Sequence, residues 1–366
     1  MTGQLPANDE ALDLIDRFLR DRGMYITRKD YRGYGALVAT TRDTKTPAVM
    51  LTAHLDVVPA GDHMFALREA DGKLYGRGVL DMKSAIASYM AVADQLQDRL
   101  EDYDFGIMIT TDEETCAGAG VSSFLADGFT PKAAILLDGG YDWQLEATAK
   151  GAWIIHLQVT GKAAHGSRPW LGDSASIKLH ELLSEVKSLF PNQDHDTNTL
   201  NISAMQAGVV GKATNQLPDS AEAMLDIRTV NADEHDRLRA AIQTLCKKYG
   251  AAMRIMAKVP PLVHDIQHPF LAAFIDSVAA HTGVRSTGIL SLAASDAGDF
   301  LARGIPCAVT YPFGGGHHGG HEWIDREAFL QLRPILLDCL DRTARAAAPA
   351  RATHIDTVHT VVYNTV

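Results

Sequence analysis

Apolar residues recur along this chain with two different periods. In residues 9–21, in "MKSAIASYMAVADQLQDRL" and in "ASIKLHELLSEVKSLF" they return every three or four positions, which predicts amphipathic helices. "FGIMITT" and "AAILLD" are instead short and almost continuously apolar, as in strands that are buried on both faces of a sheet. Since these runs alternate with helical segments, the first 150 residues are expected to form an α/β layered fold.

The pattern changes near residue 150. "GAWIIHLQVTG" alternates apolar and polar residues, as a half-exposed antiparallel strand does. The segments that follow predict the order β-α-β-β-α-β of a ferredoxin-like unit. We therefore expect residues 151–260 to be a domain inserted into a larger, discontinuous one, formed by 1–150 and 261–350. Residues 351–366 form a tail of undetermined role.

Composition narrows the class of protein. A chain of 366 residues is long enough for two domains. Its formal net charge of −11 argues against a nucleic-acid partner, because phosphate binding requires a basic face. The four cysteines are scattered without a CxxC pair, which fits a reducing cytoplasm. The N-terminus does not resemble a signal peptide, and no apolar run reaches the roughly 20 residues that would span a membrane.

Candidate metal ligands begin with "HLD". His54 ends an apolar run, and Asp56 follows two positions later, so in an extended chain both side chains point the same way. An imidazole ligand usually needs a carboxylate or carbonyl to orient it. His54 as ligand and Asp56 as its orienting partner meet that need, although an isolated HxD also occurs by chance.

Carboxylates lie beside the ends of other predicted elements. Asp81 precedes a helix, where it could bridge two metals or simply cap the helix. Glu113 and Glu114 are adjacent in "TTDEET". Two such carboxylates can share a site if a cation compensates one while the other takes a proton from water, or they can form a solvated turn. Asp138 ends "ILLD", at the edge where α/β proteins bind ligands, and a turn residue is its alternative.

Histidines complete the candidate set. "FGGGHHGGHEWID" carries His317, His318 and His321 between glycines, either as a close-packed ligand loop or as a flexible one. Two metal ions held about 3.5–4 Å apart need roughly five protein ligands and one general base. The segments supply that set in order, and each falls where a separate strand is expected to end.

The inserted region adds polar residues of another kind. His165 lies in "GKAAHGSRP", and "ATNQLPDSAEAMLDIRTV" contains Asn215 and Arg228. These side chains can hold a developing oxyanion and a substrate carboxylate. Arg228 could equally be a surface residue of an alternating strand.

With these motifs in place, the chain resembles a known family, the di-zinc exopeptidases and deacylases. This group includes aminoacylase, glutamate carboxypeptidase, peptidase T, peptidase V and succinyl-diaminopimelate desuccinylase. "HLDVVPAGD" and "GKLYGRGVLDMKSA" are close to the family's consensus motifs, and "HHGGHEWI" is most similar to the peptidase T form of the C-terminal motif. The likeness runs from about residue 45 to 330. It implies a zinc-exopeptidase-type three-layer α/β/α catalytic domain with an inserted ferredoxin-like lid.

The resemblance also implies a role for each matching residue. His54 and Asp138 would bind one zinc, Glu114 and His318 the other, and Asp81 both. His318 is chosen because the family's ligand precedes a glutamate as H-x-x-x-E, here Glu322. The residues with catalytic or substrate-binding roles would be Glu113 as general base on a zinc-bridging water, Asp56 beside His54, His165 at the transition state, and Asn215 and Arg228 at the substrate. The Asp81–Met82 peptide is expected to be cis.

The implied activity is the metal-dependent hydrolysis of an amide or peptide bond next to a free carboxylate. The substrate would be a small peptide or an N-acyl amino acid, and two Zn²⁺ per chain, or Co²⁺ or Mn²⁺ in their place, would serve as cofactors. Relatives often dimerise through the lid, so a homodimer is expected. Gly298 and Asp299 stand where relatives often carry arginine or asparagine, which disfavours a succinylated substrate. A carbamoyl-amino-acid hydrolase and a catalytically silent binding homologue are the alternatives.

Overall fold

The computed structural model describes residues 5–115, 119–209, 211, 214–259, 261–291 and 295–345. Its α-helices are α1 (Leu5–Asp21), α2 (Lys83–Leu96), α3 (Val121–Ala126), α4 (Ala175–Ser188), α5 (Ala232–Tyr249), α6 (Pro269–Thr282), α7 (Ala297–Leu301) and α8 (Arg326–Thr343). The predicted tail, 351–366, lies outside the described residues.

The strands are β1 (Tyr25–Tyr31), β2 (Tyr34–Thr40), β3 (Val49–His54), β4 (Arg68–Ala70), β5 (Lys73–Tyr75), β6 (Phe105–Thr110), β7 (Ala134–Leu136), β8 (Glu146–Ala149), β9 (Gly151–Thr160), β10 (Thr199–Ala207), β11 (Ser220–Thr229), β12 (Ala251–Val259), β13 (Leu262–Val263), β14 (Ile289–Ser291), β15 (Cys307–Val309), β16 (Gly314–Gly315) and β17 (Trp323–Asp325).

The main sheet has the strand order β1-β2-β6-β3-β7-β15. Strands β6, β3, β7 and β15 are parallel, whereas β1 and β2 add an antiparallel edge. Every residue of β3 and β6 is buried, which explains why their sequences are continuously apolar. Helices α1, α2, α6 and α8 pack on one another and on this sheet, and α3 packs on α7.

A second sheet, in the order β10-β11-β9-β12, is antiparallel throughout. Helices α4 and α5 pack on it and enclose a separate apolar cluster around Trp153, Leu182 and Leu225. The element order β9-α4-β10-β11-α5-β12 is the β-α-β-β-α-β order that the sequence predicts. We call this unit the lid. The fold is thus mixed α/β, with helices and sheets interleaved.

A three-stranded sheet, β13-β8-β14, lies where the chain enters and leaves the lid. Sequence periodicity did not reveal it, because its strands are only two to four residues long. The two passages of the chain touch closely here: a Cβ on Gly151 would lie 2.6 Å from Pro261 Cδ. Only glycine allows this contact without moving the proline.

A small sheet, β16-β17-β5-β4, was also not predicted. It pairs Trp323 with Tyr75 and so joins the segment before Asp81 to the segment after His318. These two segments are distant in sequence, and their pairing is long-range tertiary structure. None of the helices in the described part of the chain is long and apolar enough to cross a membrane.

Glu146 in β8 provides a test of this linking region. Burial raises the pKa of its carboxyl from 4.5 to about 7, although Ser291 and the Gly140 N–H act in the other direction. A carboxyl with a raised pKa binds its proton more tightly in the folded protein, so folding stability falls as pH rises from about 4.5 through 7. We expect Glu146→Gln to remove this loss, which makes the variant more stable than the parent by roughly 3 kcal/mol at pH 8 and nearly equal at pH 4.5.

Urea unfolding of both proteins at several pH values measures this difference. Glu181→Gln is the matched control, because it makes the same substitution at an exposed position of α4. A stability difference that does not change with pH would contradict the assigned role of Glu146.

Candidate metal centre

Three candidate residues lie at the carboxyl ends of neighbouring strands of the main sheet. His54 is the last residue of β3, while Glu113 follows β6 and Asp138 follows β7. Because β6, β3 and β7 are parallel and adjacent, their carboxyl ends meet at one edge, where open α/β sheets bind ligands. The fold therefore brings together residues that are up to 84 positions apart in the sequence.

Asp81 lies between two histidines, each facing a different oxygen of its carboxylate. Asp81 Oδ1 is 3.0 Å from His54 Nε2, and Oδ2 is 3.1 Å from His318 Nε2. Glu114 Oε2 is 3.0 Å from the same His318 nitrogen. One carboxylate that faces two imidazoles in this way has the arrangement of a bridging ligand.

The alternative role of Asp81 as a helix cap is wrong. Helix α2 begins at Lys83, and Met82 occupies its N-cap position without a side-chain hydrogen bond. The peptide bond between Asp81 and Met82 is cis, as the resemblance predicts.

The potential ligand atoms form two overlapping groups. His54, Glu113 and Asp138 make up one, and His54, Asp81 and Glu114 the other, with ligand atoms within 4.8 Å of one another in each. Glu113, the residue expected to act as a base, thus lies as close to His54 and Asp138 as a metal ligand would.

Negative charge in this space is only partly compensated by protein groups. Burial and the Asp138 carboxylate raise the pKa of Glu113 to about 10, and burial and Asp81 raise the pKa of Glu114 to about 7. Burial and Asp81 also raise the pKa of Asp138. Mutual repulsion of carboxylates is relieved by protons or by cations.

The residues present fit a divalent cation. Asp138 Oδ2 is buried and makes no hydrogen bond among the described residues. His54 Nδ1 lies 2.9 Å from the carbonyl oxygen of Asp56, which can only accept, so Nδ1 carries a proton. In the neutral ring, His54 Nε2 then directs a lone pair at Asp81. Imidazole nitrogens and carboxylate oxygens converging in this way are ligands that zinc prefers.

Asp56 was expected to orient His54 through its carboxylate, but its backbone carbonyl is the closer partner. The carboxylate Oδ1 lies 3.6 Å from His54 Nδ1. The other carboxylate oxygen accepts a hydrogen bond of 3.0 Å from the backbone N–H of Glu114. Asp56 therefore orients His54 and also fixes the chain at Glu114.

Two further residues belong to the site, and sequence analysis missed their roles. The Tyr311 hydroxyl donates a 2.6 Å hydrogen bond to Asp138 Oδ1, and its ring contacts that of His317. Tyr311 falls in the apolar run "AVTYPF", where nothing marks it as polar chemistry. Glu322 served only to select His318 by spacing, yet it is buried and bonded to the Asp81 segment.

The lid residues His165, Asn215 and Arg228 make hydrogen bonds within the lid. Gly166 N–H donates to the Asn215 carbonyl, so the His165 and Asn215 segments are adjacent, and the His165 ring bonds to the Ser167 hydroxyl. Arg228 forms a two-fold ion pair with Asp226 on the sheet face opposite the helices. Across the described residues, no hydrogen bond or ion pair joins His165, Asn215 or Arg228 to the six clustered residues.

Comparison with known proteins places this geometry in context. A profile of peptidase family M20/M25/M40 matches residues 50–342. The curated succinyl-diaminopimelate desuccinylase of Acidiphilium cryptum is 29% identical over 362 residues, which cover 93% of this chain and 95% of that protein. The crystal structure of a Staphylococcus aureus tripeptidase matches with a TM-score of 0.74 and 19% identity, over 90% of this chain and 91% of that one. The crystal structure of a metallo-carboxypeptidase of Sulfolobus solfataricus matches with a TM-score of 0.72 and 16% identity, over 91% of this chain and 93% of that one.

The hydrogen bond from Tyr311 to Asp138 can be tested by removing one oxygen atom. A partner of this kind fixes the orientation of a ligand, so we expect Tyr311→Phe to weaken Co²⁺ binding at the Asp138 side about 10–100-fold. Chelator competition measures the affinity. Tyr89→Phe is the matched control, because this buried hydroxyl donates to the Thr52 carbonyl instead of a candidate ligand. Equal affinities of Tyr311→Phe and Tyr89→Phe would show that Tyr311 does not orient Asp138.

Proposed function

The chain belongs to peptidase family M20/M25/M40, and from that premise we propose that it cleaves an amide bond beside a free carboxylate. The resemblance noted in the sequence is confirmed, and with it the general activity: the protein is a metal-dependent hydrolase of amide or peptide bonds. The proposed substrate is a small peptide or an N-acyl amino acid. The relatives carry names of both kinds, tripeptidase and carboxypeptidase on one side and desuccinylase on the other.

One observation carries the proposal. The carboxylate of Asp81 directs Oδ1 at His54 and Oδ2 at His318, at the carboxyl edge of the main sheet. If Asp81 had only a structural role, an ion pair with one imidazole would be sufficient. Two cations bound side by side would explain why each oxygen of Asp81 faces a different imidazole.

We assign the ligands accordingly. His54, Asp81 and Asp138 would hold one zinc ion, and Asp81, Glu114 and His318 the other. Such ions, when bound, polarise a carbonyl group and lower the pKa of a water molecule. Burial and neighbouring negative charge raise the pKa of Glu113, and the ions would offset that charge and so favour ionisation of its carboxyl.

Glu113 is the proposed proton carrier. As a carboxylate it takes a proton from the attacking water while oxygen bonds to the carbonyl carbon. As a carboxylic acid it returns that proton to the amine as the carbon–nitrogen bond breaks, leaving a carboxylate and a free amine. Glu113 and Glu114 are neighbours in the chain, and the bond from Glu114 N–H to Asp56 fixes the backbone between them. A fixed carrier of this kind contributes about 10²–10⁴-fold to rate.

The lid is proposed to complete the site. His165 would stabilise the oxyanion, with Asn215 beside it, and Arg228 would bind the substrate carboxylate in place of Asp226. In this structure His165 is exposed, and its ring bonds to the backbone N–H and the hydroxyl of Ser167. We propose that a homodimer forms through the lid and that His165 acts in the neighbour's site. We also propose a cytoplasmic location, which agrees with free, buried thiols at Cys246, Cys307 and Cys339.

The test of the proposed function is metal content together with product release. We expect about two zinc ions per chain, and amine release from dipeptides or N-acetyl amino acids that a chelator stops and Zn²⁺ or Co²⁺ restores. Blocking the substrate carboxylate as an amide should lower kcat/KM at least about tenfold, by removing a charge-assisted contact.

Glu113→Ala is the informative variant in that assay. It should keep its metal and lose turnover by about 10²–10⁴-fold, since only the proton carrier is removed. Glu69→Gln, at the exposed ion pair with Arg326, is the control and should behave as the parent does. Turnover that survives in Glu113→Ala would show that another group carries the proton. A protein that binds no metal and releases no amine would overturn the proposed function.

Action of His165 across a dimer can be tested by mixing two inactive variants. Glu113→Ala keeps its own His165, and His165→Ala keeps its own Glu113. If His165 acts in the partner's site, each mixed dimer has one intact site, and a fully exchanged mixture recovers about a quarter of the parent activity. If His165 acts within its own chain, mixing recovers nothing. Light scattering of each variant verifies that both remain dimeric.

A further inference from the structure

We propose that Glu322, together with Arg77, is a positioning residue that holds the two ligand loops of the metal centre against each other. The first loop, 77–81, ends in Asp81, and the second, 316–321, carries His318. This inference rests on the proposed function, since it takes Asp81 and His318 to be metal ligands. It concerns Glu322 and Arg77, which would bind no metal themselves.

The carboxylate of Glu322 is fully buried and uses both of its oxygens. Oε1 accepts hydrogen bonds from the backbone N–H groups of Leu80, at 2.9 Å, and Asp81, at 3.1 Å. Oε2 accepts from the Gly78 N–H at 3.0 Å and from Arg77 Nη1 at 2.7 Å. Four donors of the short 77–81 loop therefore bond to one side chain, that of Glu322, which is distant in the sequence.

Arg77 extends the connection to the second loop. While Nη1 pairs with Glu322, Nη2 donates a 2.9 Å hydrogen bond to the carbonyl oxygen of Gly319. Gly319 directly follows His318, whose backbone has a φ of +59°. A histidine in this left-handed region is strained and persists only where its surroundings hold it. The guanidinium fork supplies one such restraint, because its two donors are rigidly spaced.

The position of Glu322 makes the effect specific to the ligand geometry. Glu322 accepts from the backbone N–H of Asp81 and does not bond to the Asp81 carboxylate. Both carboxylate oxygens of Asp81 therefore remain directed at the two histidines. Pairing of β5 with β17 and the hydrogen bond from Gly76 N–H to the Glu322 carbonyl join the two segments at their outer ends. The bonds of Glu322 and Arg77 fix their inner ends, where Asp81 and His318 stand.

A buried ion pair can also be merely structural, and stability alone does not separate the two roles. A positioning role predicts a selective loss at the ion that His318 would bind, because that ligand depends on both loops. The other ion would have two ligands, His54 and Asp138, at the ends of main-sheet strands, so its affinity would depend less on the two loops. A merely structural role predicts equal weakening of both ions, or none.

The experiment is a Co²⁺ titration of the full-length Glu322→Gln variant, followed by absorption and chelator competition. Glutamine keeps one acceptor oxygen and presents an NH₂ group to the remaining donors, so two of the four bonds are lost. We expect the affinity for one ion to fall about 10–100-fold and that for the other by less than about threefold. The spectrum should resemble that of His318→Ala rather than that of His54→Ala. With substrate, kcat should fall more than KM changes.

Two controls separate positioning from loss of stability. Asp325→Asn removes a carboxylate from the same segment, but asparagine still caps α8 at Ala328 N–H, so metal affinity should not change. Leu336→Ala removes a buried side chain from α8 and lowers stability without touching either loop. If Leu336→Ala weakens metal binding as much as Glu322→Gln does, or if Glu322→Gln weakens both ions equally or neither, the positioning role is wrong.

A second variant covers the case in which Glu322→Gln does not fold. Arg77→Lys retains a positive charge for Glu322, yet its single ammonium cannot reproduce the fork that also reaches Gly319. We expect the same selective loss at the His318 ion, and unchanged affinities would overturn the proposal. The parent protein distinguishes this failure from that of the proposed function. A parent that binds two ions and hydrolyses substrate, beside variants with unchanged affinity, contradicts only the positioning role. A parent without metal contradicts the function itself.

Discussion

Repulsion among carboxylates is the constraint around which this molecule is arranged. Asp81, Glu113, Glu114 and Asp138 lie close to His54, to His318 or to both, and His54, Asp81 and Asp138 are buried. Such a cluster is stable only if protons or cations compensate its charge. Burial first, and then the neighbouring carboxylates, raise the pKa values of Glu113, Glu114 and Asp138, which favours protonation. The arrangement of the candidate ligands favours cations instead. In the proposed mechanism the same arrangement would serve catalysis, because a cation that neutralised the cluster would also lower the pKa of a water molecule beside Glu113.

Some candidate ligands of this cluster lie at the ends of strands, and others lie on loops. His54 ends β3, and Glu113 and Asp138 follow the parallel strands β6 and β7, whose ladder hydrogen bonds bring the three residues to one edge of the main sheet. Asp81 and His318 come from loops, and loops need separate support. Glu322 and Arg77 provide it through hydrogen bonds to the two loops. Tyr311 instead holds Asp138, and Asp56 holds the chain at Glu114. The second layer of the site is therefore as much a part of the chemistry as the ligands.

The sequence predicted the fold and the cluster well where the signal was local. The period of apolar residues identified helices such as α2 and α4, and the sequence also predicted the order of elements in the lid, since amphipathic periodicity is a local consequence of burial. It missed the small and linking sheets, whose strands of two to four residues carry no period. It also left Asp81 between two roles, because an aspartate before a helix usually caps it. Only the position of Met82 at the N-cap removed that alternative.

The sequence by itself determined which residue types could form a site and in which order. Strand-end histidines and carboxylates are written in the chain, and their motifs are specific enough to indicate the family. Tertiary structure alone decided which atoms face one another. The family resemblance had already selected His318 by its spacing to Glu322. That Tyr311 bonds to Asp138 and that Glu322 accepts from four donors depend instead on contacts between residues 173 to 245 positions apart. Hydrogen bonds are directional and short, so no spacing along a chain can specify them until the sheets have paired and the loops have closed.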